Sequence, residues 1–194
     1  MTRIFDILFS FLGLVLLSPI LIILIIIGYF DTGSPIFRQE RVGKGMKPFR
    51  LMKFRTMHVN APSVATHLAS ASSITPFGSF LRKSKLDELP QLLNVFVGDM
   101  SLVGPRPNLF NQEELIQERD SRGVYSVRPG ITGLSQINKI DMSTPQLLAE
   151  TDTKMIQELN TLGYFKYILL TVFGKGFGDR IKKDAGKASP SAGS

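Results

Sequence analysis

Residues Ile4 to Ile27 form an almost unbroken apolar run, IFDILFSFLGLVLLSPILIILIII, and no other stretch constrains the fold as strongly. A run of this length can cross the hydrocarbon core of a bilayer as a helix. It does not read as a cleaved signal peptide, because no Ala-x-Ala-like site follows, Arg3 is its only basic flank and the apolar part is too long. Ser18–Pro19 interrupts it near the middle. Proline removes a backbone donor and clashes with the carbonyl four residues earlier. The carbonyls near Leu14 and Val15 then need other partners, and the Ser18 hydroxyl can be one. Two arrangements meet this need: a kinked helix that spans the bilayer, and a break that turns the helix back to the face it entered. The chain has a formal net charge of +7, which suits the cytoplasmic side. Arg3 prefers that side too. A hairpin satisfies both ends of the run; a spanning helix satisfies one.

The 194 residues suffice for one sizeable domain with its own core. The chain has no cysteine, which excludes disulfides, thiol catalysis and thiolate zinc sites. Its two histidines, His58 and His67, are too few for most imidazole metal sites without carboxylate help; His67 reads as a surface residue. The positive charge favours anionic partners: nucleic acid, phosphorylated small molecules or anionic lipids. Nucleic acid fits poorly, because the Arg and Lys positions lack interleaved stacking aromatics.

Past the apolar run, Ile36–Met57 reads as a β-hairpin. One strand is Ile36–Gly43, the turn is Gly43–Lys44–Gly45, and the returning strand is Phe49–Met57. One face of that strand is read as apolar and the other as carrying Arg50 (or Met52), Lys53 and Arg55. These cations suit either solvent or a phosphate, with Lys53 the best phosphate candidate. Val59–Ser73 reads as a loop or short helix. A helix is expected from about Ser79 to Gly98, with Leu89, Leu92, Leu93 and Phe96 on its buried side. Two stiff turns follow. Gly104–Pro105–Arg106–Pro107 fixes Arg106 with little entropy left to lose on binding, and arginine suits bidentate phosphate contacts. Arg128–Pro129–Gly130 offers a second cation beside small residues that let a ligand approach the backbone. Taken alone, Arg106 also reads as an exposed residue on a structural turn. Glu113–Arg122 reads as a solvated charged helix, Asp141–Leu162 as amphipathic and mainly helical, and Gly163–Phe173 as a helix lying in a membrane interface. The tail from Lys182 reads as disordered. Together the elements make an α+β chain, mainly helical.

Within the expected helix lies Leu81–Arg82–Lys83–Ser84–Lys85–Leu86–Asp87–Glu88–Leu89–Pro90. Adjacent carboxylates repel unless a cation shares them. In a basic, partly apolar setting they read as one acid for a hard divalent ion and one free to react. The plainer alternative is a solvated helix face with Lys83–Asp87 and Ser84–Glu88 pairs.

Several of these segments occur together, and in order, in one known family. The chain resembles the small monotopic phosphoglycosyl transferases, or bacterial sugar transferases, from about Ile4 to Phe177. The resemblance rests on the Ser18–Pro19 break, Gly33–Ser34–Pro35–Ile36–Phe37, Lys53–Phe54–Arg55–Thr56–Met57, Leu86–Asp87–Glu88–Leu89–Pro90–Gln91, the segment from Gly98 to Pro107, and Arg128 to Gly133. It implies transfer of a phosphosugar from a UDP-sugar, by family default an N-acetylated one, to a polyprenol phosphate such as undecaprenyl phosphate. UMP is released at the cytoplasmic face of the bacterial inner membrane. It implies that Asp87 attacks the sugar-bearing phosphate and forms a covalent intermediate, and that Glu88, beside Asp87, helps hold Mg²⁺. Lys53, Arg82 and Arg106 would bind phosphate, and Arg128 the nucleotide part. The anchor would be a re-entrant helix-break-helix over residues 1–30, followed by a catalytic domain over 31–181 with interfacial helices and a tail over 182–194. A homo-oligomer is compatible with the resemblance. The alternative is a non-catalytic, basic, membrane-anchored scaffold, which explains the charge and the anchor but not the rigid Arg-bearing turns beside an acid pair. In this cysteine-free chain a Thr2→Cys variant is expected to be labelled by an impermeant reagent from the cytoplasmic side; periplasmic labelling contradicts the hairpin.

Overall fold

Helix α1 runs from Thr2 to Thr32 and breaks at its middle. Thr2–Leu16 and Ser18–Thr32 are bent by 63° relative to each other. Pro19 has no N–H for the Val15 carbonyl, and Ser18 Oγ donates to that carbonyl instead, at 2.8 Å. The computed structural model describes residues 2–61 and 71–174. Among them no single helix is long and apolar enough to cross a membrane, although the bent pair meets that test jointly by length and composition. Both arms of α1 rest on the same body. In the first arm, Arg3 donates to the carbonyls of Val95 and Phe96 at 2.5 and 2.8 Å. In the second, Leu24 is buried with Phe54 and Leu81, and Asp31 accepts from Thr75 Oγ1 at 2.7 Å. Around the break, Val15, Leu16, Ile22 and Ile23 are largely exposed.

One acid inside the apolar run has a structural task. Asp6 Oδ1 accepts from Ser101 Oγ at 3.0 Å, Leu102 N at 2.9 Å and Tyr164 Oη at 2.8 Å. A single buried carboxylate therefore ties α1 to two segments far away in sequence. Burial, reinforced by the Asp6 carboxylate, pushes the Tyr164 phenol well above its ordinary range.

The hairpin is present. β1 (Ile36–Val42) and β2 (Pro48–Phe54) pair antiparallel, with Ile36 opposite Phe54 and Val42 opposite Pro48. The connection at Lys44–Met46 takes its bend at Gly45, φ 63°. One part of the strand reading is corrected. Side chains alternate along a strand, so Lys53 shares the buried face of Phe49 and Leu51, while Arg50 is exposed on the other face. Lys53 Nζ lies 5.8 Å from the centre of the Phe37 ring on the facing strand, and the Arg55 guanidinium 5.3 Å.

The single helix expected from Ser79 to Gly98 is three pieces. α2 (Pro76–Ser84) starts earlier, because Thr75 caps it by accepting from Gly78 N at 2.8 Å. It ends where Lys85 turns left-handed, φ 59°. A 3₁₀ turn, Leu86–Glu88, follows, and then α3 (Gln91–Val97), which closes at Gly98 with φ 103°. Pro90, which lacks an N–H, sits between turn and helix. The Lys83–Asp87 and Ser84–Glu88 spacing therefore does not lie on a continuous helix face.

β3 (Ser101–Val103) pairs parallel with β4 (Gly130–Thr132). α4 (Glu113–Ser121), a short α5 (Leu134–Ile137), α6 (Pro145–Glu158) and α7 (Thr161–Val172) complete the fold. The reading of Glu113–Arg122 as solvated is corrected: Leu115 and Arg119 are buried, because α4 packs on α6. α7 buries Tyr164 and exposes Leu162, Leu169 and Val172. One core gathers Phe49, Leu51, Val95, Met100, Leu102, Met155 and Tyr164; a second joins Leu24, Phe54 and Leu81. The described residues are mainly helical, as expected, and beside the expected hairpin they hold a second small sheet, β3–β4, that the sequence reading does not contain. His67, most of the Val59–Ser73 segment and the tail lie outside the described residues.

If Asp6 ties α1 to the body, Tyr164→Phe is expected to lose about 1–2 kcal/mol and Asp6→Ala more, because it leaves several buried donors unpaired. Thermal unfolding in detergent reads both as lowered Tm.

Candidate active site

The acid pair sits on a tight turn. Lys85 N donates to Arg82 O at 3.3 Å, Glu88 N to Lys85 O at 3.3 Å and Leu89 N to Leu86 O at 3.2 Å. Leu86 and Leu89 pack on the Leu24–Phe54–Leu81 cluster, which pins the turn between them. The two neighbouring acids have different surroundings. Asp87 is fully buried, whereas Glu88 keeps some exposure and its Oε1 lies 3.3 Å from Arg106 Nη2. β2, which carries Lys53, packs against this turn. Arg82, one helical turn before it, donates through Nε to Thr56 Oγ1 at 2.8 Å. Arg128 is placed elsewhere. Its Nε donates to Gly98 O at 2.7 Å, at the end of α3 away from the acid pair, about 10 Å along the helix axis. The structure thus brings Glu88 and Arg106 into contact, sets Lys53 and Arg82 on the elements beside them, and engages Arg128 in closing α3 next to Arg3.

The backbone that carries Arg106 is held by its carbonyls. Pro105 and Pro107 have no N–H to give. Each carbonyl from Gly104 to Asn108 accepts instead from a different group: Gln136 Nε2 at 3.2 Å, Gly130 N at 2.8 Å, Arg119 Nη1 at 2.8 Å, Arg41 Nη1 at 3.1 Å and Val42 N at 3.0 Å. The two stiff turns of the sequence meet here. A Cβ on Gly130 would lie 2.0 Å from Gly104 N, so only glycine allows the two backbones to approach.

Behind Arg106 is a buried polar cluster that the sequence reading missed. Arg119 Nη2 lies 2.6 Å from Asp152 Oδ2, and Arg119 Nη1 also donates to Asn108 Oδ1 at 2.9 Å. Ser135 Oγ donates to Asp152 Oδ1 at 2.8 Å, and Tyr125 Oη to Asn108 Oδ1 at 3.1 Å. Burial pushes the Asp152 carboxyl up, against the pull of Arg119 and Ser135. It likewise raises the Tyr125 phenol, against Arg119 and Asn108. A signal did exist: Asp152 lies in register with Leu148 and Met155 on the apolar face of α6. A carboxylate there demands a partner.

Among the described residues no group of three or more His, Asp or Glu side chains could hold a metal. The adjacent carboxylates of Asp87 and Glu88 still fit Mg²⁺, which takes one or two carboxylates and completes its shell with water and substrate phosphates.

Residues 1–176 match the family model described as bacterial sugar transferase. The chain is 39% identical over 171 residues to the uncharacterized sugar transferase EpsL of Bacillus subtilis (strain 168), covering 88% of this chain and 84% of that protein. It is 41% identical over 187 residues to a UDP-glucose:undecaprenyl-phosphate glucose-1-phosphate transferase of Klebsiella pneumoniae, covering 90% of this chain but 40% of that protein. A Caulobacter vibrioides protein of the same name is 36% identical over 180 residues, with 88% of this chain and 67% of that protein covered.

Gly130→Ala is expected to push β3 from β4 and to cost about 3 kcal/mol or more, beyond ordinary overpacking. Gly45→Ala, strained in φ but with open space around it, is expected to cost about 1 kcal/mol. Denaturation midpoints of the two variants check the contrast.

Proposed function

The chain belongs to the bacterial sugar transferase family, and from that premise we propose that it transfers a sugar 1-phosphate from a UDP-sugar to undecaprenyl phosphate. UMP is the other product. The observation that carries the reading is the meeting of the Asp87–Glu88 turn with Arg106 at 3.3 Å, on a cation whose backbone is held from every side. A donor phosphate repels a carboxylate. Arg106, with Lys53 and Arg82 on the elements beside it, offsets that repulsion and stabilises charge on the phosphoryl oxygens.

Two displacements follow. A carboxylate oxygen of Asp87 attacks the phosphorus that bears the sugar, and the bond from that phosphorus to the UMP oxygen breaks. An acyl phosphate carrying the sugar remains on Asp87. The phosphate oxygen of undecaprenyl phosphate then attacks the same phosphorus. The bond to Asp87 breaks, the carboxylate returns, and undecaprenyl diphosphate sugar leaves. Dividing one transfer into two lets a water-soluble donor and a lipid acceptor use one site in turn. Mg²⁺, for which Asp87 and Glu88 would be the protein ligands, supplies further charge neutralisation when bound. Arg128 is proposed for the nucleotide side, where its Nη atoms are the groups left to meet a donor while Nε holds Gly98.

The acceptor is a lipid, and the anchor suits it. Each arm of α1 is roughly 22 Å long, short of the ~30 Å hydrocarbon core. Both arms rest on one body, so the proposed placement is monotopic. The Ser18–Pro19 bend dips into the inner membrane from the cytoplasmic face, and α7 lies in the interface. An N-acetylated UDP-sugar is the donor to test first, with UDP-glucose beside it.

Asp87→Asn is expected to lower UMP release on the order of a thousandfold or more, with anion and vesicle binding kept. Glu88→Gln and Arg106→Ala are each expected to lower kcat on the order of a hundredfold. UMP release by Asp87→Asn at the unmodified rate would remove the nucleophile from the reading. No UMP release from any UDP-sugar, with binding intact, would favour the scaffold.

A further inference from the structure

Arg106 Nη2 meets Glu88 Oε1 at 3.3 Å, and the backbone that carries this side chain is held by a tie on every carbonyl from Gly104 to Asn108. Among these ties, the one on the Arg106 carbonyl itself comes from a charged group. Arg119 Nη1 donates to Arg106 O at 2.8 Å and to Asn108 Oδ1 at 2.9 Å, while Nη2 faces Asp152 Oδ2 at 2.6 Å. Both members of this ion pair are almost completely buried. A solvated pair would be a matter of surface charge. A buried one needs geometry and further hydrogen bonds to persist, and Ser135 and Asn108 provide them. The planar fork of arginine serves three acceptors at fixed angles, which a lysine cannot reproduce.

We infer that Arg119, aligned by Asp152 and Ser135, is a positioning residue that sets the guanidinium of Arg106 against the Asp87–Glu88 turn. It touches no reacting atom and acts through the Arg106 carbonyl. Its importance follows from the two flanking prolines. Without N–H groups at Pro105 and Pro107, the carbonyls do most of the work of fixing this segment. The inference rests on the reading of Arg106 as the phosphate-binding cation of the proposed transfer.

A double-mutant cycle tests it. Arg119→Lys is made alone and together with Arg106→Ala, and kcat/KM for UMP release is measured with thermal unfolding alongside. With Arg106 present, Arg119→Lys is expected to lower kcat/KM at least tenfold. With Arg106→Ala, the same change is expected to lower it less than twofold further. Equal losses in both backgrounds, or a destabilised Arg119→Lys with unchanged kcat/KM, would overturn the inference. Ser135→Ala, which keeps the ion pair, runs through the same cycle if Arg119→Lys does not fold, with a three- to fivefold loss expected only when Arg106 is present. The ¹⁵N guanidinium resonance of Arg106 gives a readout without turnover. It is expected to shift and broaden in both variants, and an unchanged resonance overturns the inference while leaving the proposed transfer standing. A shifted resonance in a chain that releases no UMP from any donor would do the reverse.

Discussion

Pro19 withholds one N–H from the Val15 carbonyl, and the placement of everything else follows from that lost bond. Ser18 satisfies the carbonyl locally, so the break needs no partner from another element. The helix bends by 63°, and both arms come to lie on one body. The first arm is fixed by charge and hydrogen bonds, through Arg3 on α3 and Asp6 on β3 and α7. The second is fixed mainly by apolar contact, through Leu24 on Phe54 and Leu81, with Asp31 accepting from Thr75 Oγ1 near its end. Leu86 and Leu89, on either side of the acid pair, join that same cluster. The acid turn is therefore built onto the second arm of α1, the arm proposed to enter the membrane. For the proposed reaction between a soluble donor and a lipid acceptor, that is the placement the chemistry needs.

Two adjacent carboxylates cannot share one environment at low cost, and the fold separates theirs. The 3₁₀ turn sends Asp87 into the interior and leaves Glu88 at the edge, against Arg106. Arg106 arrives from a segment whose shape is decided by proline and by carbonyl ties, so little motion is lost when a phosphate binds. That prior ordering is set in the core, where the buried Arg119–Asp152 pair both holds the Arg106 carbonyl and joins α4 to α6.

What the sequence discloses follows local rules, and what it hides is tertiary. The hairpin, the broken helix, the Ser18 rescue and the helix at the chain's apolar end all rest on local chemistry, and all appear. The single helix over the acid pair was an over-reading, because apolar spacing from Leu89 to Phe96 was extended back through Lys85, whose left-handed φ no periodicity announces. Charge pattern groups Lys53 with Arg50, whereas strict alternation sets it on the buried face with Phe49 and Leu51. The charge-rich composition of α4 hides Arg119, which shares a buried face with Leu115, four residues earlier. Asp6 was passed over within an apolar run. Both buried charges were visible as misfits on apolar faces, and their partners lie 33 and 158 residues away, which is why no local pattern could name them.

The proposed chemistry turns on a bond between Asp87 and phosphorus. Incubation with a UDP-sugar donor and no acceptor, followed by intact-mass and peptide mapping, looks for that bond directly. The account predicts one sugar-phosphate per chain on the peptide that holds Asp87, discharged when undecaprenyl phosphate is added. UMP formation that requires the acceptor from the outset, with no adduct or with one on another residue, would contradict it.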